Sequence, residues 1–162
     1  MEPPPAGVTF VALEDDELFD FLAQSRAGFV DELVAAGVPR AAAEARADVA
    51  DAAVLQGDRL HPDHHIGRIV AAGEVVGHLW VARDHGDDWY VWDVAIVDSH
   101  RGRGHGRAAM ELASEMARAD GAAAIGLSVF ATNHVAVALY RSMGYVEAAP
   151  DPGPLLRMRL HL

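Results

Sequence analysis

No cysteine occurs among the 162 residues, which removes disulfides, thiolate metal sites and any catalytic thiol. An acyl-cysteine intermediate is therefore impossible, and the composition fits a reducing compartment. Long apolar runs are missing too: nothing approaches the roughly 18 consecutive apolar residues of a membrane span. The start of the chain, Met1-Glu2 followed by three prolines, lacks the positive and apolar regions of a secretory signal. A cytoplasmic protein without membrane contact is the expectation. Positive charge is scarce, with 13 Lys and Arg against 24 Asp and Glu and a net charge of −11. Binding a phosphate backbone relies on Lys and Arg, so nucleic acid is not the expected partner. The acidic balance mildly favours cationic substrates. Many of the acids crowd the first half (Glu14, Asp15, Asp16, Glu17, Asp20, Asp31, Glu32), where their plain reading is a set of solvated helix faces.

Apolar material is plentiful at 51%, enough for one core but set in a chain short for two ordinary domains. One domain over residues 1–162 is expected, with Met1–Pro5 as a disordered leader. Val8–Leu13 reads as a strand, and a helix starts at Asp15 with Leu18, Phe19 and Leu22 turned inward. A second helical region has Phe29–Ala36 as one piece, then Pro39 and the alanine-rich stretch Arg40–Leu55, with its exit at Gly57-Asp58. His65–Ala72 and Val75–Arg83 form a hairpin through Gly73-Glu74. After a turn at His85–Asp88, Trp89–Val97 is rich in aromatic and β-branched residues and reads as a central strand. A helix over about Gly104–Asp120, capped by Gly121, leads to a strand Ala123–Phe130. A helix Asn133–Met143 and the strands Tyr145–Ala149 and Leu155–Leu160 complete the chain. The order is β-α-α-β-β-β-α-β-α-β-β, an α/β (α+β) chain whose hairpins and crossover helices require a mixed sheet.

The segment Arg101-Gly102-Arg103-Gly104-His105-Gly106-Arg107 follows a strand and opens a helix, so several backbone N–H groups can converge on one anion. Glycines allow close approach, the helix start adds partial positive charge, and the arginines add formal charge. Arg107 stands where a dinucleotide-binding GxGxxG needs glycine, and no Gly-Lys-Ser/Thr end marks a P-loop. Taken alone, the segment could also be a glycine-rich turn with solvated arginines.

Here the chain resembles the GNAT acetyltransferases, whose acetyl-CoA site is a strand, then Arg/Gln-x-x-Gly-x-Gly/Ala, then a helix. Arg101, Gly104 and Gly106 match. A second family signature, Asn-x-x-Ala-x-x-x-Tyr-x-x-x-Gly-Phe/Tyr, is matched by Asn133, Ala136, Tyr140, Gly144 and Tyr145. The resemblance runs from about Gly73 to Tyr145. Two departures are His105, where an apolar residue is more usual, and Asp98, where proline is frequent.

The resemblance implies a central mixed, mostly antiparallel sheet flanked by helices, and an enzyme moving an acetyl group from acetyl-CoA to a small-molecule or peptide amine, with no metal. In the family the strand before the glycine loop bulges and splays from its neighbour. By position Val94, Ala95, Ile96 and Val97 would offer backbone groups to the pantetheine arm, with an N–H near Ile96 facing the thioester carbonyl. The cofactor set implied is completed by Arg101, Gly102, Arg103, Gly104, His105, Gly106, Arg107, Asn133, Ala136 and Tyr140. Tyr140, a phenol of reference pKa about 10, suits protonation of a departing thiolate; its helical spacing also suits core packing. An ammonium acceptor must lose a proton before attack, and Asp93, a carboxylate in an apolar and aromatic run, is the first choice of base. A water chain or a purely structural Asp93 are the alternatives.

Trp80, Trp89, Tyr90 and Trp92 could line an amine pocket, though core packing suits most of them. His61, Asp63, His64 and His65 lack metal-site spacing. Two other functions stay open: an idle CoA-binding regulatory module, and an acetyltransferase of protein N-termini or lysines. Family members commonly dimerise, so a homodimer is allowed.

Overall fold

The computed structural model describes residues 7–84, 86–148 and 153–162. The expected leader, His85 of the predicted turn, and Ala149 lie outside them. The described residues divide into two compact units, one made of the residues up to Ala12 together with those from His65 onward, the other of Leu13–His64.

The smaller unit is helical. α1 (Asp15–Ala35) is one continuous helix, so Phe29–Ala36 is its second half and not a separate piece. The break comes at Gly37, whose φ of +96° ends the helix. Leu18, Val30 and Leu33 are buried, whereas Phe19 is 49% exposed and does not turn inward as expected. With Leu18 and Leu22 already on the inner stripe, Phe19 falls about 100° around the helix from Leu18. α2 (Arg40–Val54) begins after Pro39. Arg26 ties the helices together by pairing with Asp48 at 2.7 Å and with Asp51. Leu55 leaves the helix to form a two-residue strand β2 (Leu55–Gln56), which turns through Gly57-Asp58 onto β3 (Arg59–Leu60).

The larger unit is built on a seven-stranded sheet. Its strands are β1 (Thr9–Ala12), β4 (His64–Ala71), β5 (Glu74–Arg83), β6 (Asp88–Ile96), β7 (Ala124–Phe130), β8 (Val146–Glu147) and β9 (Leu155–His161), in the order β1-β4-β5-β6-β7-β9-β8. Only β6 and β7 are described as a parallel pair; the mixed, mostly antiparallel sheet is as expected. The β4–β5 turn falls on Ala72 and Gly73, φ +50° and +80°, a left-handed pair that matches strand twist. α3 (His105–Ala119) makes the crossover between β6 and β7, and α4 (His134–Ser142) follows β7. The core lies on the α3 side, where Leu79, Val81, Trp89, Val91, Ile125 and Leu127 meet Ala109, Met110 and Ala113. Among the described residues no helix is long and apolar enough to cross a membrane.

At the end of α3, Asp120 accepts hydrogen bonds from Trp89 Nε1 at 2.8 Å and from Arg83 at 2.6 and 2.7 Å. The Trp89 bond first, then Arg83, hold this carboxyl below the usual range against a smaller opposing effect of desolvation. A carboxyl depressed in the folded state adds stability above its unfolded pKa of about 3.9 and loses it as pH falls through the folded value. Urea unfolding below about pH 4 should therefore fall off more steeply with pH in the native chain than in Asp120→Asn. Parallel curves would show that Asp120 contributes nothing to the acid limb.

Candidate active site

The site begins with an irregularity in β6. Its pairing with β5 runs Trp80↔Asp93 and then Val81↔Val91, so Trp92 is an extra residue, a β-bulge. Its parallel ladder with β7 ends at Val91↔Leu127, while β6 continues to Ile96 and β7 to Phe130. Beyond Val91 the two strands no longer pair. The Val97 amide donates to the Val76 carbonyl at 2.9 Å, and alternation along an antiparallel strand turns Ala95 to β5 as well. Val94 and Ile96 then direct their backbone groups to the opened β7 side. Of the four residues named from the sequence, Val94 and Ile96 face that side, with the Ile96 carbonyl taken up by Arg101, and Ala95 and Val97 are turned to β5.

The glycine-rich loop follows immediately. Gly102 and Gly104 have φ of +73° and +83°, and Gly104 is the N-cap of α3. Helical bonding starts with the Ala108 amide on the Gly104 carbonyl. The amides of His105, Gly106 and Arg107 precede that bond and face out of the helix start. A Cβ at Gly102 would meet open space, and one at Gly106 only Leu139 at 3.6 Å. The arginines divide their tasks. Arg101 donates from Nε to the Ile96 carbonyl at 3.0 Å and pairs with Asp98 at 3.0 Å, bracing the loop against the strand end. Arg107 donates to Ser142 Oγ at 2.6 Å and so reaches the end of α4. Arg103 stands exposed. His105 is partly buried, and its Nδ1 has no hydrogen-bond partner.

The second motif shapes α4 at both ends. The Asn133 side chain accepts from the Ala136 amide at 3.2 Å and caps the helix. Gly144, φ +96°, closes it, with the Tyr145 amide returning to the Tyr140 carbonyl at 3.0 Å. Ala136 packs against the core. The Tyr140 ring is 8% exposed and lies 5.8 Å from that of Tyr145. Burial, and then the charge of Asp93, push the Tyr140 phenol above its ordinary value. Tyr145 is pushed up to about 12 by burial. Tyr140 and Asp93, named separately from the sequence, thus lie within electrostatic reach of each other.

Asp93 has a partner that sequence reasoning missed: His78 Nε2 lies 2.9 Å from Asp93 Oδ2. Only the β5–β6 register reveals the pair. Trp92 stacks on Trp80 at 5.1 Å, and Tyr90 hydrogen-bonds Ser128. Trp89 belongs to the core. Among the described residues no group of three His, Asp or Glu could hold a metal ion.

The opened strand pair thus lies next in the chain to a glycine-rich helix start. Residues 28–145 match the model of the Acetyltransferase (GNAT) family. The chain belongs to this family. It is 37% identical over 76 residues, 45% of its length and 48% of the relative's, to the uncharacterized N-acetyltransferase YdgE of Bacillus subtilis. It is 28% identical over 90 residues to YycN of the same organism, 53% of this chain and 58% of YycN. The matched stretch thus spans about half the length of these curated relatives. The YycN crystal structure superposes with a TM-score of 0.76 at 24% identity, covering 89% of this chain and 95% of YycN. A Bacillus anthracis protein described as a candidate streptothricin acetyltransferase, solved in complex with acetyl coenzyme A, has a TM-score of 0.57 at 18% identity, covering 63% and 64%. The mixed sheet agrees with the fold of these structures, and among the described pairings its parallel step is β6–β7, at the opening.

Proposed function

We propose that this GNAT protein is an N-acetyltransferase of a single domain over residues 1–162, moving an acetyl group directly from acetyl-CoA to an amine. The observation that carries the reading is the end of β6–β7 pairing at Val91, with the glycine-rich start of α3 following β6 in the chain and Tyr140 within electrostatic reach of Asp93 on the unpaired part of β6. It fits the donor. The helix start suits a pyrophosphate, and the outward groups of Val94 with the Ile96 N–H, the Ile96 carbonyl being held by Arg101, suit an extended amide-bearing arm. An Ile96 N–H beside the thioester carbonyl would stabilise developing negative charge, a contribution of about 2.7–4 kcal/mol where such donors have been deleted.

The amine loses a proton to Asp93 or to water and attacks the thioester carbonyl. The C–S bond breaks, and Tyr140 protonates the leaving thiolate. Raised above its ordinary value, the phenol holds its proton through the neutral range. With no cysteine in the chain, transfer does not pass through an acyl-cysteine. The net charge of −11 supports a cationic acceptor, whether a small amine or a peptide amine.

The test is thiol release from acetyl-CoA across small amines, polyamines, aminoglycosides and short peptides. Amine-dependent release with sequential kinetics is expected, and the responding acceptor identifies the substrate class. Tight CoA binding without release for any acceptor would count for an idle regulatory module instead.

A further inference from the structure

We propose that His78 accepts the proton of the acceptor amine, with Asp93 as its positioning partner. This rests on the acetyl-transfer reading and replaces the simplest version of it, in which Asp93 acts alone. The pair is built by the β-bulge. Trp89 and Val91 point into the α3-side core, and unbroken alternation would send Asp93 after them. The extra residue Trp92 reverses the phase: Val94 and Ile96 now pack toward the core, and Asp93 emerges on the other face. There His78, paired with Ala95, is the diagonal neighbour of Asp93, paired with Trp80. The bond is 2.9 Å, and the two side chains are 33% and 34% exposed. They are open enough to meet a substrate and sheltered enough for the interaction to matter.

The chemistry assigns the roles. Asp93 Oδ2 is engaged with His78 Nε2, so a neutral imidazole carrying its proton on Nε2 donates to the carboxylate and leaves Nδ1 as the basic nitrogen. An imidazole with one ring nitrogen held by a carboxylate is a common arrangement for a general base. The ammonium N–H bond breaks as an N–H bond forms at Nδ1, and the adjacent carboxylate stabilises the imidazolium. After attack and loss of the thiolate, which takes the Tyr140 proton, the second amine proton restores the Tyr140 phenol. One proton remains on His78 and leaves to solvent, balancing ammonium plus thioester against amide plus thiol.

Charged and titratable groups on the strands flanking β5 are Asp88, Tyr90 and Asp93 on β6 and His64, His65 and Arg68 on β4. Tyr140 from α4 feels the Asp93 charge. The charged residues of α3 belong to the opposite face of the sheet, where Leu79 and Val81 pack.

The experiment compares kcat/KM against pH for the native chain, His78→Gln and Asp93→Asn, with the acceptor that responds in the panel. Calorimetric CoA affinity serves as the control for folding. His78→Gln should lower kcat about a hundredfold or more and abolish the acid limb, with CoA affinity unchanged. Asp93→Asn should lower kcat less and keep the limb. A limb kept in His78→Gln and lost in Asp93→Asn makes Asp93 the base, and a limb kept in both makes it water; either overturns the proposal. Nitrogen-15 NMR supplies a readout without turnover: the His78 ring should be the Nε2–H tautomer in the native chain and a mixture in Asp93→Asn. The same tautomer balance in both proteins overturns the pairing. Absence of turnover for every acceptor, with the tautomer result as expected, overturns the acetyl-transfer reading and the catalytic role of His78 while leaving the pair itself standing.

Discussion

Replacing Gly77 by alanine should unfold the chain at markedly lower temperature and weaken its hold on CoA together. A Cβ at this position would lie 2.1 Å from the Ala95 carbonyl oxygen and 3.1 Å from the Ile96 Cα. Both are backbone atoms, so no rotamer change relieves the clash and β5 and β6 must separate. Overpacking of this kind costs about 1–3 kcal/mol or more. At the upper end that lowers Tm by about 6–12 °C for a chain of this size. The same displacement moves Val94 and Ile96, whose backbone groups face the opening beside β7. A thermal melt and calorimetric titration with CoA check both halves. Unchanged Tm with unchanged affinity would mean that the close approach at Gly77 is not needed; loss of stability alone would separate packing from cofactor binding.

Tyr140→Phe should lower kcat about a hundred to ten-thousandfold, the range expected for loss of a positioned acid, with CoA affinity within twofold of native. Phenylalanine keeps the ring packed beside Tyr145 and removes only the hydroxyl, so a melt should distinguish chemistry from folding. The pH profile adds a sign. Burial and the Asp93 charge raise the native phenol, so its protonated form persists to higher pH than the usual value of about 10. The basic fall in kcat caused by this group should begin correspondingly late, and Tyr140→Phe should lack it. Full activity in Tyr140→Phe, or ping-pong kinetics in the native chain, would remove the assigned role.

Local chemistry made much of the molecule legible before its structure. Gly104, Gly121 and Gly144 stand where a helix begins or ends with left-handed backbone, and Asn133 stands where an N-cap is needed. A chain carries those preferences wherever it is. Periodicity found most strands of the sheet and its mixed character. It missed the two-residue strands at Leu55 and Arg59 and misjudged Phe19, because elements so short, and a residue at the margin of an apolar stripe, leave almost no period to read.

By itself, then, the sequence determined the family, the mixed sheet and most of its strands and helices, since the motifs are short-range and their spacing is written along one strand or one helix. Tertiary structure alone decided which backbone groups of Val94 to Val97 face that opening, which arginines are already engaged, and that Asp93 meets His78. Those outcomes depend on the register between β5 and β6 and on the extra residue Trp92 within it. A shift of one residue reverses every side chain beyond it, and that choice is made by pairing between segments far apart in the chain.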